Sequence, residues 1–200
     1  MRITSLLHAL LAVTPVALSA QAGIGFSIGT RTYRSGPVLT ATNPGTFQPM
    51  QVTEYFADLH LISIRRAAIG LRVGGFRGDF GPEGKRVFIA QTGAVHGYGG
   101  RVTAEQPMLS LASGGTLGLA VEAGIESVAF GGEEHFRGAF GAGPMLRLPL
   151  TERWDLRLVA MASALSSSPY RDEVLGTGVT NGNHWWTTLR IGVTRRFGQR

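Results

Sequence analysis

HWWTTLRIGVTRRF, residues His184 to Phe197, alternates with a period of two. Trp185, Thr187, Leu189, Ile191, Val193 and Phe197 share one parity; Trp186, Thr188, Arg190, Gly192, Thr194 and Arg196 take the other. Successive side chains of a strand point to opposite faces, so this is a strand with one apolar face and one polar or small face. Lipid on the first face and a polar interior on the second would satisfy both. A soluble edge strand carries the same alternation, so the rest of the chain has to decide.

Outward from this stretch the rhythm repeats. Ile24, Phe26, Ile28, Thr30 and Thr32 alternate with Gly23, Gly25, Ser27, Gly29 and Arg31, which predicts a first strand over 22–33. A Gly/Pro/Thr-rich stretch at 34–51 reads as a long loop. Tyr55, Ala57, Leu59 and Leu61 then alternate with Glu54, Phe56, Asp58 and His60, and Arg65-Arg66 turns the chain into Ile69, Leu71 and Val73. Residues 78–100 read as a second long loop before a strand at 101–112, although Val87–Ala90 would also suit a strand extending the hairpin. Ser113-Gly114-Gly115 is a tight turn, a strand of 117–126 follows, and Gly131 to Glu134 reads as a short loop. Strands at 136–150 and 156–164, joined by Thr151–Arg153, precede a polar, Gly-rich connection at 166–183 and the closing strand. That makes eight strands whose connections are alternately short and long.

Composition narrows the class. Two hundred residues suit one domain, and charged residues are 16% of them, below the ~25% of ordinary soluble domains. After the N-terminus no uninterrupted apolar run is long enough for a spanning helix. Low charge without a spanning helix is what an alternating barrel produces, because lipid-facing and lumen-facing residues interleave. The 29 glycines suit turns and a crowded interior. There is no cysteine, hence no disulfide, thiolate chemistry or lipid-anchored Cys. The net charge is +6, carried by arginines except for Lys85, but it is not clustered as a nucleic-acid groove requires. Nucleic acid is therefore excluded as a partner.

Residues 1–22, MRITSLLHALLAVTPVALSAQA, have the parts of a secretory signal peptide. Arg2 supplies the charged start, Leu6–Leu18 the short apolar core and Ala20-Gln21-Ala22 a small-residue cleavage pattern, with cleavage between 19 and 22. The expected mature domain is 23–200.

The final strand also resembles the closing strand of Gram-negative outer-membrane β-barrels: Arg190, Gly192 and Phe197 fall in register with the family's C-terminal assembly signal. Arg195 and the trailing Gly198-Gln199-Arg200 depart from it. Over nearly its whole mature length the chain is similar to small barrels such as the membrane domain of outer-membrane protein A, by pattern and spacing. The resemblance implies an eight-stranded antiparallel up-and-down transmembrane barrel, delivered to the outer membrane by the barrel assembly machinery through its C-terminal strand. It also implies contact with membrane lipid and lipopolysaccharide, a monomer, and gel migration that shifts on boiling.

Several consequences are testable in a structure. Aromatics of outward parity should gather at the two interfaces: Tyr55, Phe136 and Trp185 at external strand ends, Trp154 and Phe197 at periplasmic ends, with Phe26 and Phe140 further in and Phe130 of the wrong parity. The inward parity sets Glu54, Asp58, Glu122, Glu126 and Asp155 against Arg31, Arg72, Arg137, Arg147, Arg157 and Arg190. Near-balanced signs let these groups pair and plug an interior only wide enough for side chains. A narrow porin-like channel is the alternative. Arg65, Arg66, Arg153, Arg195, Arg196 and Arg200 fall at periplasmic turns or ends.

Chemistry is sparse. Deacylating barrels of this kind carry a His and a Ser on one strand face with an acidic partner; here His60 and Ser63 have opposite parity, His184 neighbours two Trp, and Ser166–Ser168 has no His nearby. Glu133-Glu134-His135 reads as a solvated loop tip, and the five His lack metal-ligand spacing. No catalytic, cofactor-binding or metal-ligating residue is assigned, and the expectation is a non-enzymatic structural or surface-interaction protein whose loops at 34–51, 78–100 and 166–183 meet an extracellular partner. A lipid A-modifying enzyme is the competing class.

Overall fold

The computed structural model describes residues 22–33, 36–39, 44–64, 67–83, 93–130, 133–167 and 185–197. Every regular element among them is a strand: β1 (Ala22–Tyr33), β2 (Gly36–Leu39), β3 (Pro44–Ile64), β4 (Ala67–Glu83), β5 (Gly93–Ser110), β6 (Thr116–Phe130), β7 (Glu133–Pro149), β8 (Trp154–Leu165) and β9 (Trp185–Phe197). Consecutive strands pair antiparallel, and β1 closes the ring. It meets β9 from Ala22↔Phe197 to Tyr33↔Trp186 and β3 from Gly23↔His60 to Arg31↔Val52. Eight strands therefore form a closed antiparallel barrel, while the short β2 lies on the outer half of β3. Closure leaves no barrel strand at the edge of the sheet, which a bilayer core favours because little there can replace a missing hydrogen bond.

The short connections match the sequence reading. At 111–115 the amide of Leu111 donates to the Gly115 carbonyl at 2.8 Å and that of Gly114 to the Leu111 carbonyl at 2.9 Å. Gly114 takes φ of 78°, a left-handed geometry that favours glycine. At 150–154 the Leu150 amide donates to the Trp154 carbonyl. Two prolines mark local faults in the ladder. The β5–β6 register shifts between Pro107 and Leu109, and β7–β8 pairing lapses across Gly143 and Pro144, since proline has no N–H to donate.

Three expectations need correction, all at the end with the long connections. The stretch 34–51 holds β2 and the outer part of β3, with Thr46–Met50 paired to Asp79–Glu83. In 78–100, β4 continues to Glu83 and β5 begins at Gly93. Glu133 and Glu134 open β7, paired to Phe130 and Ala129. Beyond the hydrocarbon no lipid face enforces alternation, so the strands continue by their backbone ladder without a legible period. Residues 1–21, the Arg65-Arg66 turn, Val87–Ala90 and most of 166–183 lie outside the described residues.

Candidate functional site

Leu189 is 64% exposed and its neighbour Arg190 1%. The same inversion recurs around the ring. Ile24, Phe26, Ile28, Leu71, Val73, Val102, Val121 and Ile125 are exposed, while Glu54, Asp58, Arg72, Arg101, Glu122, Glu126 and Arg157 are buried. A continuous apolar belt is unfavourable in water and suits hydrocarbon, and its strands exceed the ~9–11 residues that a tilted crossing needs. The chain is a transmembrane β-barrel. The barrel's girdle follows: Tyr55, Phe136 and Trp185 point outward toward the long connections, Trp154 and Phe197 outward at the short-turn end, and Phe26 and Phe140 sit in the belt. Tyr98, hidden in the sequence by the loop reading of 78–100, joins them edge-on to Phe136 at 6.2 Å.

Inside, carboxylates and guanidiniums interlock. Arg31 donates through Nε to Glu54 at 2.7 Å and through both Nη atoms to the two oxygens of Glu126 at 2.8 Å. Such a forked pair fixes geometry as well as charge. Glu122 is the hub, accepting from Arg72 at 2.6 Å, from both terminal nitrogens of Arg190 at 3.0 Å, and from Arg101. Arg101 also reaches Glu126, and Arg190 reaches Glu54 at 2.5 Å. Toward the short turns Asp58 accepts from Arg72 at 2.6 Å and Ser27 at 3.0 Å, Glu105 pairs with Arg147 and Arg157, and Asp155 pairs with Arg196 at 3.0 Å. Every carboxylate expected inside is there and paired. The reading missed Arg101 and Glu105, because no parity was assigned to their strand, and it placed Arg196 at the rim. Arg137 differs from expectation: it donates to its neighbour's carbonyl and forms no ion pair among the described residues.

Apolar groups close the network above and beside. The Arg31 guanidinium lies 4.1 Å from the Phe76 ring centroid and 4.8 Å from that of Trp186, which packs on Tyr33. Arg72, Arg101 and Arg190 surround the Phe56 ring at 5.6, 5.4 and 5.3 Å. Cation–π contact offsets part of the cost of keeping these cations from water. Ala120, Met145, Val159 and Met161 form a buried apolar cluster on the other wall. Near the short turns, beside His60 and Arg147, a void of about 20 Å³ is present, room for about one water.

The outer wall carries the one polar constellation that sequence reasoning missed. His96, Tyr98, Ser127 and Glu134 come from β5, β6 and β7, and their register places them together on the lipid-facing side at the outer rim. The Ser127 hydroxyl donates to Glu134, and Tyr98 shares that carboxylate. The Ser127–Glu134 bond differs from the serine–histidine bond by which hydrolases activate a nucleophile. His60 faces the lumen and Ser166 accepts from the Gly138 amide at 3.2 Å, while His184 and the Ser63 side chain lie outside the described residues. Among the described residues no three His, Asp or Glu side chains are grouped to hold a metal.

No protein-family model matches the chain, and no curated protein matches it. Among solved structures it is similar to Neisserial surface protein A, with 13% identity, a TM-score of 0.49, and 89% of this chain and 98% of that one covered. It is also similar to outer membrane protein AlkL, with 14% identity, a TM-score of 0.49 and coverages of 90% and 92%. For outer membrane protein OprG from Pseudomonas aeruginosa the values are 9%, 0.47, 90% and 97%. The inside-out distribution of side chains, rather than these distant likenesses, places the barrel in a bilayer.

Proposed function

We propose that the protein is an exported, integral outer-membrane barrel with a structural or surface-interaction role, non-enzymatic and closed to ions. The interior ion-pair network carries this reading. A selective pore carries one sign of charge around its constriction, whereas here Glu54, Glu122 and Glu126 are each answered by at least two arginines and the aromatic layer lies over them. The signal peptide over 1–22 gives the export route, and the long connections at one end give the surface through which a partner is met.

Planar-bilayer recording tests the closed lumen: purified barrel is expected to insert without discrete conductance steps, and reproducible steps would overturn it. Heat-dependent gel migration with membrane fractionation tests the location. Incubation with lipopolysaccharide, followed by weighing of the lipid A, is expected to show no acyl chain gained or lost.

A further inference from the structure

Outward side chains normally pave a barrel wall, yet over β4, β5 and β6 the paving is interrupted. A groove of about 600 Å³ lies between Tyr55 and Tyr98 over Gly75. It shares Tyr98 and Gly74 with a second of about 300 Å³ bounded by Phe136 and floored by Gly99 and Gly100. Val73, Gly100 and Ile125 continue that into a third of about 410 Å³ reaching Leu71 and Val102. From Arg77 down to Leu71 this furrow follows seven residues of β4, six steps of ~3.3 Å or about 20 Å along the strand, which is about 15 Å in depth at a strand tilt of about 40°. One leaflet of a ~30 Å hydrocarbon core is about 15 Å deep. The furrow therefore runs from the interface to about the midplane.

Gly100 is the informative residue. Most of the barrel's glycines cannot take a side chain: a Cβ on Gly124 would be driven into the Gly100 carbonyl, and one on Gly74 into the Tyr55 carbonyl. A Cβ on Gly100 would meet nothing within 4 Å. Glycine inside a strand costs stability, and where the protein itself does not need the space it marks close approach by something else. The upper lip supplies a complementary head. Arg77 and His96 are directly paired across β4 and β5 and both are exposed, and Arg77 forms no ion pair among the described residues. An anion between them would accept charge-assisted hydrogen bonds from the Arg77 guanidinium and one from the His96 ring N–H. On this face Glu134 is engaged by Ser127 and Tyr98 and also attracts His96; Asp79 lies one outward position above Arg77 and forms no ion pair with it.

We infer that the furrow holds one acyl chain of lipid A, with a lipid A phosphate held between Arg77 and His96. The inference rests on the outer-membrane reading, since the furrow opens at the end with the long connections, where the outer leaflet lies. Tyr55, Tyr98 and Phe136 flank the chain near the interface, and Gly100 lets it lie against the backbone.

The test uses the full mature barrel, folded in detergent, freed of lipid and titrated with lipid A, dephosphorylated lipid A or phosphatidylglycerol, with complexes counted by native mass spectrometry. The wild type is expected to retain one lipid A. Gly100→Trp, which fills the furrow, and Arg77→Gln, which removes the charge, are each expected to weaken it about tenfold. Leu189→Trp, on the wall of β9, is expected to leave it unchanged. Heat-shifted migration checks that each variant is folded, and Arg77→Gln stands alone if Gly100→Trp does not fold. Equal binding of all three lipids, preference for phosphatidylglycerol, or wild-type binding by both furrow variants would overturn the inference. A chain that fails to insert into vesicles fails the outer-membrane reading as well; one that inserts but shows no preference for lipid A fails the furrow alone.

Discussion

Gly100 and Arg101 are neighbours in β5 and face opposite ways. Arg101 is buried and holds both Glu122 and Glu126, whereas Gly100 faces the bilayer with open space where a side chain would be. In the lumen each side chain is specified by partners on other strands, and removing one strands the rest. On the wall the requirement is only that the surface be apolar, so positions are individually replaceable, and departures from plain paving stand out. The same strands carry a tightly coupled network on one face and a loosely coupled surface on the other.

The strongest challenge to that contrast is Glu122→Leu. It leaves Arg72, Arg101 and Arg190 short of their shared acceptor, and the expected loss is about 3–5 kcal/mol, read from the urea midpoint of vesicle-inserted barrel. A loss below about 1 kcal/mol would mean the network is not buried as described.

Val121→Arg places a cation in the middle of the outward belt of β6. The expected cost in vesicles is about 2–4 kcal/mol, falling toward zero at the rim; a neutral result would put that face in water.

A pair of glycine substitutions sharpens the comparison with the chemistry held constant. Gly124→Ala pushes a methyl into the neighbouring backbone and should cost about 1–3 kcal/mol. Gly100→Ala should cost nothing and gain up to about 1 kcal/mol from chain entropy. Equal losses in thermal unfolding would remove the distinction drawn between the two faces.

The smallest effect is expected at the edge of the network. Arg196 is partly exposed where it pairs with the buried Asp155, and glutamine can still donate a hydrogen bond to that carboxylate, so Arg196→Gln should cost about 1 kcal/mol. That loss should shrink further in high salt. A salt-independent loss would mark the short-turn end as drier than its exposure indicates.

The sequence by itself determined which face the residues of seven of the eight spanning strands take; β5, with Arg101 and Glu105, was read without a parity. Leu189 outward and Arg190 inward follow from a period of two imposed on a chain with lipid on one side, and the opposed signs inside follow from the cost of burying an unmatched charge. The aromatic ends Tyr55, Phe136, Trp154, Trp185 and Phe197 were legible for the same reason. Strand continuation at 44–51, 78–83 and 93–96 was not, because outside the hydrocarbon no face is forced to be apolar, and at 97–100 three of the four residues are glycine, which carries no polar or apolar signal. Tertiary structure alone decided who meets whom: Arg31 with Glu126, 95 residues apart, and Arg190 with Glu122, 68 apart. It alone brought Ser127 to Glu134 and joined Gly75 and Gly100 into one furrow. Those meetings depend on strand register and on the tilt at which the sheet closes. Both are set by the hydrogen-bond ladder of the whole ring and leave no mark in the period of any single strand.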